Sequence, residues 1–262
     1  MSYLLICTTA LLVSGLTLFS GFGLGTLLMP VFALFFPVEV AVAAAAIVHL
    51  ANNLFKALLL GRHADRGVVA RFAFPAALAA MAGALLLNHL GGMAPIARFE
   101  LAGRACTVTW IKLVIALLIM GFAVVELSPG LEKMALDARW IPVGGLLSGF
   151  FGGLSGHQGA LRTAFLVRAG LSKEAFIGTV ILSAIVVDLS RMTVYGLTFF
   201  SRDFEILRAQ GGIGLVVAGS LAAFLGAFLG SRLLTKVTMR IIQRLVGVLL
   251  LLLGAALGAG LV

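Results

Sequence analysis

This 262-residue sequence predicts an all-α polytopic membrane protein made of two homologous halves, and three observations carry that reading. The chain is 61% hydrophobic and only 11% charged, with a mean hydropathy of +1.16. As a soluble globule it would expose large apolar patches. Its apolar stretches have the lengths a bilayer asks for. Finally, the stretches recur: Ser14-Gly15 maps onto Ser148-Gly149, Gly25 onto Gly159 and Ala41 onto Ala175, at a constant offset of 134 residues.

The apolar stretches cover residues 2–36, 39–60, 70–90, 108–127, 140–168, 174–199, 211–231 and 241–261. About 20 helical residues cross a hydrocarbon core of about 30 Å, whereas a straight helix over 2–36 would be roughly 50 Å long. That stretch must break, at Gly21-Phe22-Gly23-Leu24-Gly25 followed by Pro30. The stretch 140–168 carries the run Gly152-Gly153-Leu154-Ser155-Gly156-His157-Gln158-Gly159 in the corresponding place. Loops between stretches are too short to fold independently, so residues 1–262 form a single membrane transport domain, with a first repeat at 1–134 and a second at 135–262. Each half opens with a Gly-broken helix or hairpin followed by three transmembrane helices. Paired interrupted segments are the pattern of a transporter site at the bilayer midplane. The alternative is that the glycines only permit close helix packing.

Charge distribution bears on the arrangement of the repeats. If the two long stretches cross once, Arg62, Arg66, Arg71, Lys133, Arg139, Arg202 and Arg208 face Arg98, Arg104, Arg168, Lys173, Arg232, Lys236, Arg240 and Arg244 across the membrane, a split that favours neither side. If both re-enter as hairpins, Arg62, Arg66, Arg71, Lys133, Arg139, Arg168, Lys173, Arg232, Lys236, Arg240 and Arg244 gather on one side, leaving Arg98, Arg104, Arg202 and Arg208 on the other. The positive-inside rule favours the second arrangement, with inverted repeats and both termini outside the cytoplasm.

The formal charge of +9 reads as topology signals and contacts with the lipid bilayer, with no nucleic-acid partner. Cys7 and Cys106 lack metal-ligand spacing and read as packing residues. No metal and no cofactor is expected. Met1 to Gly21 has no basic residue and runs on into further apolar sequence, so it is expected to be retained.

Polar residues inside such stretches are costly and are functional candidates. His49, Asn52, Asn53 and Lys56 follow i, i+3, i+4, i+7 spacing on one helix face. Asp188 and Arg191 share the spacing of Asn53 and Lys56 in the second half, with Tyr195 a turn beyond. Arg191 is expected to pair with Asp188, with direct ligand contact as its alternative. Lys56 is either a ligand or a side chain snorkelling to the headgroups, and His49 either a proton carrier or a core histidine. His157 and Gln158 sit in the break, where unwound backbone must line a cavity or be buried in protein. Arg162, one turn on, is the leading candidate for pairing an oxyanion, with N–H groups at the half-helix start as further donors. The expected substrate-binding set is Arg162, Gln158, His157, Gly159, Gly25, Gly23, Asn52, Asn53, Lys56 and Arg191, with His49 and Asp188 serving proton coupling or an ion pair. An excess of intramembrane base over the one mid-span carboxylate selects an anion.

These residues resemble the TauE/SafE family of sulfite and organosulfonate permeases. The resemblance spans essentially the whole chain and rests on the two glycine-rich breaks, each followed by a helix-starting run, Val38-Glu39-Val40-Ala41 and Ser172-Lys173-Glu174-Ala175. It implies transport, often export, of small sulfur oxyanions or sulfonates across a bacterial-type cytoplasmic (inner) membrane. The chain departs from the family pattern at Gly23-Leu24-Gly25, at His157-Gln158, and at Ala164, which stands opposite Pro30. A homodimer is a candidate assembly. Two other function classes are weighed against a carrier. A passive anion channel shares the same features. An intramembrane serine protease would use Gly153-Leu154-Ser155-Gly156, but no histidine follows His157 to act as its base.

Overall fold

The computed structural model describes residues 1–16, 24–101, 103–128, 136–202, 204–209, 211–233 and 239–261. Eleven α-helices are present among them: α1 Ser2–Leu16, α2 Leu24–Ala33, α3 Val38–Leu60, α4 Arg66–Gly91, α5 Trp110–Leu127, α6 Ile141–Ser155, α7 Gly159–Leu166, α8 Lys173–Arg202, α9 Phe204–Ala209, α10 Gly212–Leu233 and α11 Met239–Gly258. Among the described residues, Val38–His63, Arg66–Gly91, Lys173–Leu197 and Gly212–Arg232 are long and apolar enough to cross a bilayer. Ser2–Gly15, Leu24–Ala33, Trp110–Val125 and Gly247–Gly258 are shorter apolar helices. The protein is a polytopic, mostly helical membrane protein. Large apolar side chains face outward along the helices, Phe74 at 72% and Leu117 at 64% exposure, as a lipid-facing surface requires.

The all-α expectation needs one correction. Between α4 and α5, strand β1 (Ala97–Leu101) pairs antiparallel with β2 (Arg104–Val108), turning at Gly103 with φ +77°. Arg98 and Glu100 alternate with Phe99 and Leu101, a period-2 pattern inside what reads as a loop. A lone hairpin is marginal. This one is tied down by the Ile96 N–H on the Val108 carbonyl (2.9 Å) and by Lys112 Nζ on the Thr107 carbonyl (3.0 Å).

Helix ends follow local chemistry. Asp65 caps α4 by accepting the Val68 N–H at 2.9 Å, and Thr109 caps α5 by accepting the Lys112 N–H at 3.3 Å. Pro142 sits in the first turn of α6, where its missing N–H costs nothing.

Small residues set the packing. Along α6, the faces of Gly145, Gly149 and Gly153 lie directly on the carbonyls of Phe72, Ala76 and Ala80 of α4. Both series advance by four, so the helices run parallel in backbone contact. Close approach of this kind substitutes for hydrophobic driving force inside lipid. The pair α1 and α10 does the same: Gly226 lies on the Leu11 carbonyl and Gly230 on the Gly15 carbonyl. By contrast α3 and α8 run antiparallel, Gly61 meeting Leu182 while His49 meets Asp188. So do α5 and α11, where Leu127 meets Gly247 and Ala116 meets Gly258.

The stretch 140–168 folds back on itself. Phe165, near the end of α7, packs on Gly144 near the start of α6, and the Leu136 N–H donates to the Ala164 carbonyl at 3.3 Å. The first half behaves likewise: Tyr3 at the start of α1 touches Gly214 at the start of α10. That side is also where α8 ends and, because α3 is antiparallel to α8, where α2 hands over to α3. The end of α7 thus lies beside the start of α6, and the end of α2 lies on the side where α1 starts. In the first break, Gly21, Phe22 and Gly23 lie outside the described residues.

Candidate functional site

The start of α2 meets the break between α6 and α7 in the interior. A Cβ on Gly25, in the first turn of α2, would stand 3.2 Å from the Gly156 carbonyl oxygen and 3.4 Å from the His49 ring. Gly156 ends α6 in the left-handed region at φ +83°, a conformation that favours glycine. The chain then restarts as α7 at Gly159, whose first-turn N–H groups have no carbonyl one turn back.

Asp188 is the hub that joins these segments. Its Oδ1 accepts from Arg191 Nε (3.1 Å) and Nη2 (2.6 Å) and from Gln158 Nε2 (3.2 Å). Its Oδ2 lies 2.6 Å from His49 Nδ1 and accepts from Asn53 Nδ2 at 3.4 Å. Arg191 Nη1 reaches on to the Gly152 carbonyl at 3.1 Å, and Tyr195 Oη donates to the Gly153 carbonyl. Both bonds fall on carbonyls in the last turn of α6, and the Gly152 carbonyl also accepts the Gly156 N–H at 3.0 Å.

Arg162 lies one turn into α7 at 2% exposure and donates from Nη1 to Gln158 Oε1 at 3.0 Å. Gln158 thereby has both ends of its amide assigned, the nitrogen on Asp188 and the oxygen on Arg162. Its own backbone carbonyl accepts from Ser148 Oγ at 2.9 Å. Lys56 does not snorkel. It is 6% exposed, and in the amide orientation that satisfies Asn52, its Nζ donates to Asn52 Oδ1 at 3.2 Å while Asn52 Nδ2 donates to the Ala223 carbonyl.

The residues that the sequence singles out are thus buried, and hydrogen bonds link most of them. His49, Asn53, Gln158, Arg162, Asp188 and Arg191 form one network, with Gly25 and Gly159 at the adjoining helix starts. Asn52 and Lys56 form a second group on α3, and His157 sits at the junction of the breaks. Gly23 lies outside the described residues. Three residues that the sequence reading did not place in the site belong to its frame. Ser14 Oγ lies 3.1 Å from the Asn52 amide, Ser148 holds Gln158, and Phe122 of α5 stacks on the His157 ring with centroids 5.6 Å apart. The two serines stand 134 residues apart, a spacing visible in the sequence; Phe122 carries no such signal.

Electrostatically, three buried cations, Lys56, Arg162 and Arg191, stand against one buried carboxylate among the described residues, Asp188, whose two oxygens are fully engaged. A buried excess of positive charge is an anion-binding environment, and a cation would have to displace Arg191 to reach Asp188. No group of three His, Cys, Asp or Glu able to hold a metal occurs among the described residues. Ser155 is buried, and its hydroxyl donates to the Phe151 carbonyl at 3.0 Å, while His49 is taken up by Asp188. His157 Nδ1 lies 3.2 Å from Ser155 Oγ, but it also lies 3.1 Å from the Ser155 carbonyl, which can only accept, so this nitrogen carries a proton and cannot take one from the serine.

No curated protein and no solved structure matches the chain. The model of the sulfite exporter TauE/SafE family, whose members are transporters of sulfite- and sulfonate-type anions and not enzymes, matches residues 6–257, and the chain belongs to that family.

Proposed function

We propose that the protein carries a small sulfur oxyanion, sulfite or an organosulfonate, by alternating access around an anion site where the two broken segments meet. Arg162 is the principal ligand. Gln158 holds its guanidinium in place, and the N–H groups at the starts of α7 and α2, at Gly159 and Gly25, donate to the remaining oxygens. Asn52, Asn53 and Lys56 on α3 supply further polar contacts and positive potential. Arg191 serves as the partner of Asp188, since its fork is committed there.

The observation that carries this reading is the buried excess of positive charge beside a half-helix N-terminus. Fixed N–H dipoles and cations in a low-dielectric interior hold an anion more strongly than either would in water.

Residues 1–134 and 135–262 are read as inverted repeats. The support is that matching helices pair across the halves. The pair α4 and α6 is parallel, as is its counterpart α10 and α1, while the self-matching pairs α3 with α8 and α5 with α11 are antiparallel. A two-fold axis relating antiparallel spanning helices lies in the membrane plane, as alternating access by rocking of one repeat on the other requires. The hairpin arrangement places Arg62, Arg66, Arg71, Arg168 and Lys173 together on the cytoplasmic side of a bacterial-type inner membrane.

The direct test is flux of labelled sulfite and methanesulfonate in proteoliposomes. Arg162→Ala is expected to lower flux by about a hundredfold, the scale of losing a charge-assisted contact. Unchanged binding and flux in that variant would sink the assignment.

A further inference from the structure

His157 has one ring nitrogen satisfied and one left over. Nδ1 lies 3.1 Å from the Ser155 carbonyl oxygen and 3.2 Å from Ser155 Oγ. The carbonyl can only accept, and the hydroxyl hydrogen of Ser155 is directed at the Phe151 carbonyl. Nδ1 must therefore carry a proton and donate it. Nε2, in a side chain 2% exposed, has no hydrogen-bond partner among the described residues. Buried polar atoms in native proteins are paired, so one that is not calls for an explanation.

What faces the ring comes from the other half of the chain. It is the backbone carbonyl of Thr26, in the first turn of α2. Four residues on stands Pro30, which has no N–H, so the helical bond that would otherwise occupy this carbonyl is missing. The Thr26 oxygen near the ring and the Nε2 lone pair are both acceptors, with no hydrogen bond between them in this state. A proton on Nε2 supplies the donor that this pair lacks.

We propose that His157 Nε2 and the Thr26 carbonyl form a proton-binding site, and that the bound proton travels in the same direction as the anion. The second half of this proposal rests on the anion-carrier reading; the first does not. A proton from water on the open side adds to the Nε2 lone pair. The resulting imidazolium keeps Nδ1–H on Ser155 and donates Nε2–H to Thr26. On the other side the same N–H bond breaks, the proton passes to water, and the ring is again neutral.

The surroundings fit a site that holds the proton together with an anion. From α8, Arg191 acts against a second positive charge, being held beside Gly156 and on the Gly152 carbonyl. From α5, Phe122 stacks on the ring at an interplanar angle of 14°, offering a π face that tolerates a cation. Helix α2 has no ionisable side chain. On α7, Arg162 is linked to the adjacent Gln158. An anion at Arg162 supplies the negative charge that this cluster of cations lacks, so each ligand favours the other, and the coupling is reciprocal by linkage. The Nε2–H bond to Thr26 also clamps α2 of the first half to the break of the second, which ties proton occupancy to their relative position.

The test uses the full-length protein in nanodiscs with ¹⁵N-histidine, whose nitrogen shifts report each ring proton separately. The His157 signal is assigned by its loss in His157→Asn. In wild type, Nδ1 is expected to be protonated throughout, and Nε2 to gain a proton when methanesulfonate, which does not itself titrate, is added at constant pH. Pro30→Ala restores an N–H that competes for the Thr26 carbonyl and is expected to lower the doubly protonated fraction at a given pH about tenfold. A pH-sensitive dye in weakly buffered solution should register proton uptake on anion addition in wild type and none in His157→Asn. Anion binding, read by thermal shift, with no change at Nε2 would overturn the coupling, and a doubly protonated fraction identical in wild type and Pro30→Ala would overturn the site. If neither methanesulfonate nor sulfite binds while the ring still responds to Pro30→Ala, the proton site stands and the anion reading falls.

Discussion

His49 of α3 and Asp188 of α8 meet with Nδ1 and Oδ2 2.6 Å apart, one residue from each half of the chain, both buried. The same carboxylate takes the fork of Arg191 on its other oxygen. One anionic group thus links α3, α8 and, through Gln158, the start of α7. Its removal should be felt as a loss of fold before a loss of transport.

Asp188→Ala leaves Arg191 buried without its counter-ion, and the expected cost is about 3 to 5 kcal/mol, because an uncompensated buried charge is worse than an absent pair. The double variant Asp188→Leu with Arg191→Met should recover most of that stability while remaining inactive. Melting curves in detergent for the two variants decide it. Equal destabilisation in both would show that the pair is not what holds these helices.

Gln158 is expected to control Arg162 by orientation. Gln158→Leu removes the acceptor of Arg162 Nη1 and the donor to Asp188 Oδ1, and sulfite affinity should fall about tenfold or more, the scale of one lost hydrogen bond to a charged group. Gln158→Glu sets a second carboxylate beside Asp188 and should abolish anion binding altogether. Thermal shift against sulfite reads both; tighter binding in Gln158→Glu would contradict an anion site here.

Glycine spacing on α6 makes a packing prediction with an internal control. A Cβ on Gly149 falls directly on the Ala76 carbonyl of α4, whereas one on Gly121 of α5 meets nothing within 4 Å. Gly149→Ala should destabilise by about 1 to 3 kcal/mol through overpacking. Gly121→Ala should be neutral or stabilising by up to about 1 kcal/mol through helix propensity. Similar melting temperatures for the two variants would mean that α4 and α6 do not pack this closely.

Sidedness tests the proposed pair of re-entrant hairpins. With Cys7 and Cys106 replaced, single cysteines at Arg66 and Arg168 should react with a membrane-impermeant thiol reagent only after the membrane is opened, and those at Arg98 and Arg208 should react in intact cells. All four side chains are exposed. Labelling of Arg98→Cys and Arg168→Cys from the same side would exclude hairpins that re-enter from opposite faces.

Much of this architecture was legible in order and composition. Stretch lengths, set by bilayer thickness, located the helices, and the glycine-rich run at residues 152–159 located the break between α6 and α7. Buried polar residues announced themselves, since in a lipid-soluble segment each is an expensive exception. Charge counting favoured hairpins over crossings, and α6 and α7 do fold back. The β1–β2 hairpin escaped, because a short alternating segment between helices reads as loop and gains its stability from contacts with Thr107 and Val108 that periodicity does not encode.

By itself, then, the sequence determined which residues are buried and polar, where the helices break, and that basic groups exceed acidic ones, because these follow from solvation costs paid residue by residue. Who partners whom was decided by the tertiary structure. Antiparallel packing of α3 on α8 delivers His49 and Asn53 to Asp188 and leaves Lys56 buried instead of at the headgroups, whereas the Asp188–Arg191 pair, three residues apart on one helix, was legible in the sequence. The approach of Gly25 to Gly156 depends on bringing the start of α2 and the end of α6, more than a hundred residues apart, to one point. No local pattern encodes that, because the distance between two chain segments is set by the helices that pack between and around them.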